Sequence, residues 1–175
     1  MEHILIVDGY NVIGAWPELK RLADTNLEDA RDRLIEMLAD YQGFSGARVI
    51  LVFDAHQVPG LGGAYSQYRL DIQYTKEKET ADERIERLVT QLINRRRQIH
   101  VATSDQTEQH VIFGKGALRK PARELLIELE ENRKLVAARV DEQRQMSKKK
   151  NLLIGGVSTE MLQKLEQWRR GKPKS

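Results

Sequence analysis

The stretch ILIVDGYNVIG, residues 4–14, places four consecutive apolar residues directly before an aspartate. Ile4–Val7 has the length, continuity and β-branched content of a strand that is covered on both faces. Asp8 stands where this strand would leave the core, and a Gly-Tyr-Asn tripeptide comes next. A single aspartate after a strand is most often a turn or capping residue. The role of Asp8 therefore depends on which residues end the other strands.

Other segments also have strand character. Val49–Phe53 (VILVF) and Ile99–Thr103 (IHVAT) are rich in apolar and β-branched residues, which predicts two more buried strands. Leu70–Thr75 is a weaker candidate for a peripheral strand, and Lys134–Val140 (KLVAARV) is a further weak candidate. Gln143–Asn151 is polar and basic, which favours a surface loop or a connection between strands.

Four helices are predicted from their start signals: an N-cap at Asn26, a capping box (TADE) at Thr80, a first turn near Pro121, and a start after Ser158. Strands and helices alternate, which predicts an α/β, three-layer domain with a mostly parallel central sheet flanked by helices. We expect one domain over residues 1–175, with a basic segment from about 143 to 175 appended. The residues expected to face inward are Ala30, Leu34, Met37, Leu38 and Tyr41 in the first helix, Ile85, Leu88, Val89, Leu92 and Ile93 in the second, Leu125, Leu126 and Leu129 in the third, and Met161, Leu162, Leu165 and Trp168 in the last.

The composition limits the possible classes of protein. The chain is 40% hydrophobic and 31% charged, and no apolar run approaches the ~18 residues that a membrane span needs. It has no cysteine, which excludes disulfides, thiol catalysis and cysteine-ligated zinc. Residues 1–83 hold 8 Lys and Arg against 15 Asp and Glu, whereas residues 84–175 hold 21 against 11. This asymmetry suggests a polyanion held near a cluster of carboxylates.

Aspartates come after each of the three buried strands: Asp8, Asp54 and Asp105. The carboxyl ends of parallel strands form one rim, where ligands of open α/β sheets bind. Asp82 joins them if the Thr80 helix starts at that rim. Crowded carboxylates repel one another unless a cation is present, and oxygen-only ligands favour Mg²⁺ or Mn²⁺. Such metals catalyse phosphodiester hydrolysis by polarising the phosphate and activating water.

Basic residues are the candidates for phosphate contacts. The segment FGKGALRKPAR, residues 113–123, combines two glycines, four cations and a predicted helix start, which is compatible with anion binding and equally with an ordinary glycine loop before a surface helix. Aromatic residues make up 6% of the chain, which argues against a surface that stacks many bases. The candidate RNA-binding residues are Arg95, Arg96, Lys115, Arg119, Lys120, Arg123, Lys148, Lys149 and Lys150.

The chain resembles the YacP-like NYN-domain family, part of the PIN-like nuclease superfamily. The resemblance rests on four segments in order: ILIVDGYNVIG, ILVFDAH, KETADERIERLV and VATSDQTEQHVIFGKGALRKPAREL. It implies a Rossmann-like PIN fold and a metal-dependent nuclease. It also implies an endoribonuclease that acts on messenger RNA engaged by ribosomes, and therefore a cytoplasmic location.

The resemblance also implies roles for individual residues. Asp8 would be the metal carboxylate of the first strand, with Asn11 supporting it. Glu79 and Asp82, both candidate metal ligands, fall on a segment similar to the EAD helix start of flap and PIN nucleases, and Asp105, a further candidate metal ligand, falls on their T-x-D strand end. Asp54 also has a matching place in the family. Where many relatives carry a second aspartate after the last strand, this chain has Thr107, followed by Glu108.

Three other interpretations compete with this one. A phospho-receiver domain with Asp54 as phosphate acceptor needs an acidic pair after the first strand and a lysine after the last. Here Asp8 stands alone, and no clear strand is predicted before Lys120-Pro121. A haloacid-dehalogenase phosphatase needs Asp-x-Asp, but residue 10 is tyrosine. The stronger rival is a non-catalytic module that binds RNA or ribosomes, against which Asp8, Asp82 and Asp105 all argue.

Overall fold

The computed structural model describes residues 1–55, 63–67, 69–105, 114–155 and 159–171. The described chain divides into two compact units, Met1–Asn132 and Arg133–Ser175. This boundary lies earlier than residue 143, where the basic segment was expected to begin. The division into one nuclease domain and a basic appendage stays a prediction. Across the described residues, no helix is both long enough and apolar enough to cross a membrane. The elements are β1 (Glu2–Asp8), α1 (Gly9–Ala15), α2 (Pro17–Thr25), α3 (Leu27–Ser45), β2 (Arg48–Phe53), β3 (Gly63–Gln67), β4 (Leu70–Tyr74), α4 (Ala81–Leu92), β5 (Arg97–Ala102), β6 (Leu118–Lys120), α5 (Ala122–Gly155) and α6 (Thr159–Arg170).

Among the described residues, the strands form one sheet in the order β3-β4-β2-β1-β5-β6. The five strands from β4 to β6 in this order are parallel to one another, and β3 pairs antiparallel with β4 at one edge. The predicted α/β architecture with a mostly parallel sheet is therefore confirmed. Asp8 pairs in register with Val52, and Val7 with Ala102. The carboxyl ends of the three central strands consequently lie side by side.

Helices cover both faces of the sheet. Side chains of the central strand, β1, point alternately to the two faces, so that each face offers apolar residues for helices to pack against. Leu5 and Val7 pack in a core cluster with α1, α2, α3 and the start of α5. Ile4 and Ile6 pack on the opposite face in a second cluster with α4. The continuous apolar run of β1 thus supplies two cores at once, as expected for a strand covered on both faces.

The predicted caps of α3 and α4 are present. Asn26 Oδ1 accepts a hydrogen bond from Glu28 N at 2.9 Å, and Thr80 Oγ1 accepts one from Glu83 N at 3.2 Å. Most of the residues predicted to face inward from α3, α4 and the first turns of α5 are buried. The exceptions are Leu92 and Leu126, which are half-buried, and Ile93, which is 42% exposed because α4 ends at Leu92 and Ile93 is its C-cap.

The predictions for residues 134–151 were wrong. Lys134–Val140 is not a strand and Gln143–Asn151 is not a loop, because both lie within α5. From Ala122 to Ile154 the chain contains neither glycine nor proline, and its Lys, Arg, Gln and Glu residues favour helix. Leu135, Val136 and Val140 are 52%, 43% and 40% exposed, so this short apolar run belongs to a solvent-facing part of the helix.

Three further expectations need correction. Leu70–Thr75 was predicted to be peripheral, but β4 lies inside the sheet because β3 adds outside it. A short strand, β6, does lead into Pro121, whose neighbour Lys120 ends that strand. The apolar residues of α6 predicted to face inward are exposed: Met161 58%, Leu162 58%, Leu165 57% and Trp168 84%. Helical spacing predicts a face correctly but does not show what covers it.

Candidate functional site

Asp8 is the most deeply buried aspartate of the candidate site. It is the last residue of β1 and the N-cap of α1, and its exposed fraction is 7%. Burial, together with the negative charges of Asp82, Asp54 and Asp105, raises the pKa of Asp8 to about 7. The nearby backbone N–H of Asn11 acts in the opposite direction. We call these four aspartates the acidic rim.

Asp54 is held in place by a contact between two neighbouring strand ends. Thr75 comes directly after β4, is fully buried, and donates its backbone N–H to Phe53 O at 3.0 Å. Its hydroxyl oxygen accepts a hydrogen bond from Ala55 N at 2.9 Å. The backbone is therefore fixed on both sides of Asp54. Sequence reasoning missed Thr75, although a hydroxyl residue directly after a strand was the available signal.

Asn11 connects α1 to the segment of chain after β5. Its Oδ1 accepts hydrogen bonds from both the backbone N and the hydroxyl of Ser104, each at 2.6 Å. The buried hydroxyl of Thr103 accepts a bond from Asp105 N at 3.1 Å. Asn11 therefore lies where a supporting residue would, because it joins the segment carrying Asp8 to the segment carrying Asp105.

The remaining predicted carboxylates differ in position. Asp82 lies in the first turn of α4, is exposed, and acts electrostatically on Asp8. Glu79 is 6% exposed, pairs with Arg87 at 3.0 Å, and accepts a hydrogen bond from Lys76 N at 3.2 Å. It is not among the carboxylates that raise the pKa of Asp8. The structure thus brings Asp82 to the acidic rim and gives Glu79 a contact within the turn before α4.

The acidic rim has the right donor chemistry for Mg²⁺ or Mn²⁺, since all its ligands would be oxygens. Among the described residues, no three His, Asp or Glu side chains already form a group that could hold a metal ion. Mg²⁺ commonly uses one or two protein carboxylates and keeps several waters, so a closed set of protein ligands is not required. Thr107 and Glu108 lie outside the described residues.

Two of the predicted RNA-binding lysines already have carboxylate partners. Lys115 Nζ lies 2.6 Å from Glu86 Oε1 and 3.1 Å from Thr90 Oγ1. Lys120 Nζ contacts both carboxylate oxygens of Glu128, at 2.8 and 2.7 Å. A phosphate would therefore have to compete with these contacts for either lysine. The pairing of Lys120 also leaves the phospho-receiver interpretation without its lysine.

The other predicted cations are more accessible. Arg95, Arg96 and Arg123 are exposed in the first unit, and Lys148–Lys150 are exposed on α5 in the second. Arg119 is half-buried, and its Nε has no hydrogen-bond partner among the described residues. Among the residues that the structure describes, none of these six further cations or Arg119 forms an ion pair.

A row of aromatic rings borders the acidic rim and was not predicted. The Tyr10 ring packs on Phe53 with centroids 5.0 Å apart, and Phe53 stacks on Tyr74 at 5.5 Å. Arg31 Nη1 donates a hydrogen bond to the Tyr10 hydroxyl at 3.3 Å. No sequence signal pointed to Arg31, because it lies on α3 between residues assigned to the core face.

Residue 9 has to be a glycine because the Phe53 ring lies too close to it for a side chain. A Cβ atom at Gly9 would overlap ring carbons of Phe53, whereas one at Gly14 in the same helix would meet nothing within 4 Å. We expect Gly9→Ala to lower the free energy of unfolding by about 1–3 kcal/mol, the usual cost of overpacking a core. Gly14→Ala should instead be neutral or stabilise by up to about 1 kcal/mol. Urea denaturation of both variants checks this, and equal midpoints would contradict it.

Comparison with known proteins agrees with this architecture. The YacP protein of Bacillus subtilis (strain 168) is 53% identical over 168 residues, which cover 96% of this chain and 97% of that protein. The crystal structure of Rae1 (YacP) from Bacillus subtilis superposes with a TM-score of 0.73 at 53% identity, over 96% of this chain and 95% of that one. The crystal structure of a mutant of the same Bacillus subtilis protein superposes with a TM-score of 0.74 at 53% identity, over 83% of this chain and 85% of that one.

The family match covers nearly the whole sequence. The YacP-like NYN domain matches residues 5–170, which include the acidic rim and most of both units. Its extent agrees with the four segments on which the resemblance rests. This chain belongs to the YacP-like NYN domain family, a membership that supports a nuclease-like, RNA-related role.

Proposed function

We propose that this protein is a divalent-metal-dependent endoribonuclease that hydrolyses phosphodiester bonds of RNA. The observation that carries the proposal is the acidic rim, where Asp8 is buried at the end of the central strand among three other aspartates. An isolated buried carboxylate surrounded by like charges is costly to a protein that does not use it. Family membership supports the RNA-related part of the proposal.

The chain's own residues would supply the oxygen ligands of the metal and position the scissile phosphate. Asp8, Asp82, Asp105 and Asp54 are the candidates to hold Mg²⁺ or Mn²⁺, which when bound polarises the phosphate and lowers the pKa of an attacking water. The rigid strand fixes Asp8, and the Asn11 contact with Ser104 keeps the Asp105 segment beside it. Such preplaced donors need little rearrangement when substrate binds.

The substrate we propose is messenger RNA on or near the ribosome, in the cytoplasm. The support is electrostatic, because residues 84–175 carry a net excess of 10 positive charges, the difference between 21 basic and 11 acidic residues. Ribosomal and messenger RNA are large polyanions, to which such a surface is attracted.

Neutralising Lys148–Lys150 tests this electrostatic contribution. We expect replacement of all three by glutamine to weaken RNA or ribosome binding and to reduce the salt slope of binding by up to about 2, since each phosphate contact on a single strand contributes about 0.7. Fluorescence anisotropy at several KCl concentrations measures the slope. Lys20→Gln with Arg21→Gln, on the exposed face of α2, is the control. An unchanged slope in the triple variant would remove these lysines from the interface.

A non-catalytic RNA- or ribosome-binding module is the second candidate function. It is favoured by one observation: no ready group of three metal-binding side chains exists within the described part of the chain. A binding module would bind RNA or ribosomes as the endoribonuclease would, but it would cut no phosphodiester bond.

A cleavage assay separates the two functions. Purified protein is incubated with RNA, and separately with translating ribosomes, in Mn²⁺, Mg²⁺ or EDTA. The endoribonuclease proposal expects internal cuts with either metal and none with EDTA. If neither substrate is cut in any metal, the endoribonuclease proposal fails and the binding module remains. If cutting is equal in EDTA, both the metal dependence and the binding module are refuted.

A further inference from the structure

Arg31 has an unusual set of partners for a half-buried arginine. It lies near the start of α3, and its Nη1 donates to the Tyr10 hydroxyl at 3.3 Å. No carboxylate pairs with its guanidinium within the described residues. Arg33, two residues later, pairs with Glu18 at 3.1 Å and with Glu36 at 3.4 Å. The Tyr10 hydroxyl therefore orients the Arg31 guanidinium without forming an ion pair, and Glu28, three residues before Arg31 on α3, acts on it electrostatically.

The position of Arg31 relates it to the acidic rim. Tyr10 lies two residues after Asp8 at the start of α1, and its ring packs on Phe53, which directly precedes Asp54. Phe53 in turn stacks on Tyr74 at the carboxyl end of β4. Tyr10 and Tyr74 both act electrostatically on Arg31. Arg31 is thus connected through Tyr10 and Phe53 to the segments that carry Asp8 and Asp54.

The acidic rim needs a cation if a nucleic acid is to lie across it. Four carboxylates repel phosphates, and only the reacting phosphate would be compensated by a metal. The next phosphate along the chain has to be attracted by the protein itself, and contacts to phosphates are what fix the register of a bound strand. A guanidinium suits this task because its planar fork binds phosphate oxygens in pairs.

We propose that Arg31, oriented by the Tyr10 hydroxyl, binds a phosphate of RNA adjacent to the one that is cut, and so positions the substrate strand on the acidic rim. The inference rests on the proposed function for its substrate. It names a contact that is separate from the exposed basic residues of the second half of the chain.

The test compares Arg31→Gln with Arg33→Gln, since both remove one charge from the same region of α3. Binding of a short single-stranded RNA is measured in EDTA at several KCl concentrations, so that it does not depend on cleavage. We expect Arg31→Gln to weaken binding about tenfold and to reduce the salt slope by about 0.7. Arg33→Gln should change neither quantity, and Arg31→Lys should restore the slope and part of the affinity.

Cleavage with Mn²⁺ then tests positioning. Arg31→Gln should raise KM more than it lowers kcat, and thermal melting should show that both variants are folded. Tyr10→Phe keeps the ring on Phe53 but removes the hydroxyl, so it should raise KM in the wild-type background and have no effect in Arg31→Gln. Additive effects of these two substitutions would contradict the role of Tyr10.

The outcomes separate this inference from the proposed function. If the wild type binds RNA but cuts none, and Arg31→Gln alone loses binding and slope, the phosphate contact stands and catalysis fails. If the wild type cuts RNA and Arg31→Gln behaves like Arg33→Gln, catalysis stands and the contact is refuted. If the wild type does not bind this RNA in EDTA, the contact is refuted, and if it also cuts neither RNA nor ribosome-bound RNA in Mn²⁺ or Mg²⁺, the proposed function is refuted with it.

Discussion

Asp8→Asn will lower the rate of RNA cleavage by at least about 100-fold, since even the loss of a residue that only supports a metal ligand commonly costs 10- to 100-fold. The substitution preserves the size of the side chain and one of its two oxygens. It removes only the charge at the centre of the acidic rim. We therefore expect the folded structure and the RNA affinity in EDTA to be retained while kcat falls.

The matched control is Asp40→Asn, which removes one carboxylate from the exposed surface of α3. Single-turnover cleavage in Mn²⁺ should be unchanged by this substitution. Asp82→Asn should resemble Asp8→Asn, because Asp82 has the largest effect among the three neighbouring charges that act on Asp8. If Asp8→Asn cuts RNA at the wild-type rate, the acidic rim takes no part in the cleavage.

The sequence was sufficient to predict the acidic rim because two simple regularities combine there. Asp8 and Asp54 each come after a strand with a buried pattern, and parallel strands end at one edge of the sheet. The observed register, in which Asp8 pairs with Val52, brings those two ends level. A local pattern and a topological rule therefore determine the position of these charges without knowledge of any side-chain contact.

The contacts that orient the rim could not be predicted in the same way. The Thr75 hydroxyl, which fixes the backbone of Ala55 after β2, comes from the end of β4. The Phe53 ring, which excludes a Cβ at Gly9 after β1, comes from β2. Glu79 was assigned to the metal by its motif, but its pairing with Arg87 depends on the path of the turn before α4. Such contacts depend on three-dimensional packing, which pattern and spacing do not encode.

The errors at residues 134–151 have a different physical origin. A short apolar run such as Leu135-Val136 is compatible with strand or helix, and only a partner strand or a continuing helical pattern decides between them. Here the chain continues as helix because no residue between Ala122 and Ile154 breaks it. In this charged segment, the absence of glycine and proline outweighs local β propensity.

The buried position of Asp8 also has a cost for stability, and the two roles of the residue predict opposite effects of one substitution. A carboxyl whose pKa is raised by burial binds its proton more tightly in the folded chain than in the unfolded chain. Between the ordinary value of 3.8 and the folded value of about 7, the folded state holds a proton that the unfolded state has lost. The contribution of Asp8 to stability therefore falls as the pH rises through this window.

Asp8→Asn should accordingly stabilise the metal-free protein at alkaline pH. A pKa raised from 3.8 to about 7 corresponds to a gain of about 4 kcal/mol in the free energy of unfolding at pH 8, and about 2 kcal/mol at pH 5, at 1.36 kcal/mol per unit. Urea denaturation in EDTA at the two pH values measures the difference, with Asp40→Asn as the control for loss of an exposed carboxylate. Adding Mn²⁺ at pH 8 should stabilise the wild type more than Asp8→Asn, because a bound cation neutralises the buried charge. A variant that is less stable than the wild type at pH 8 would show that the Asp8 carboxylate is already compensated within the fold, and a metal would then not be needed to offset its burial.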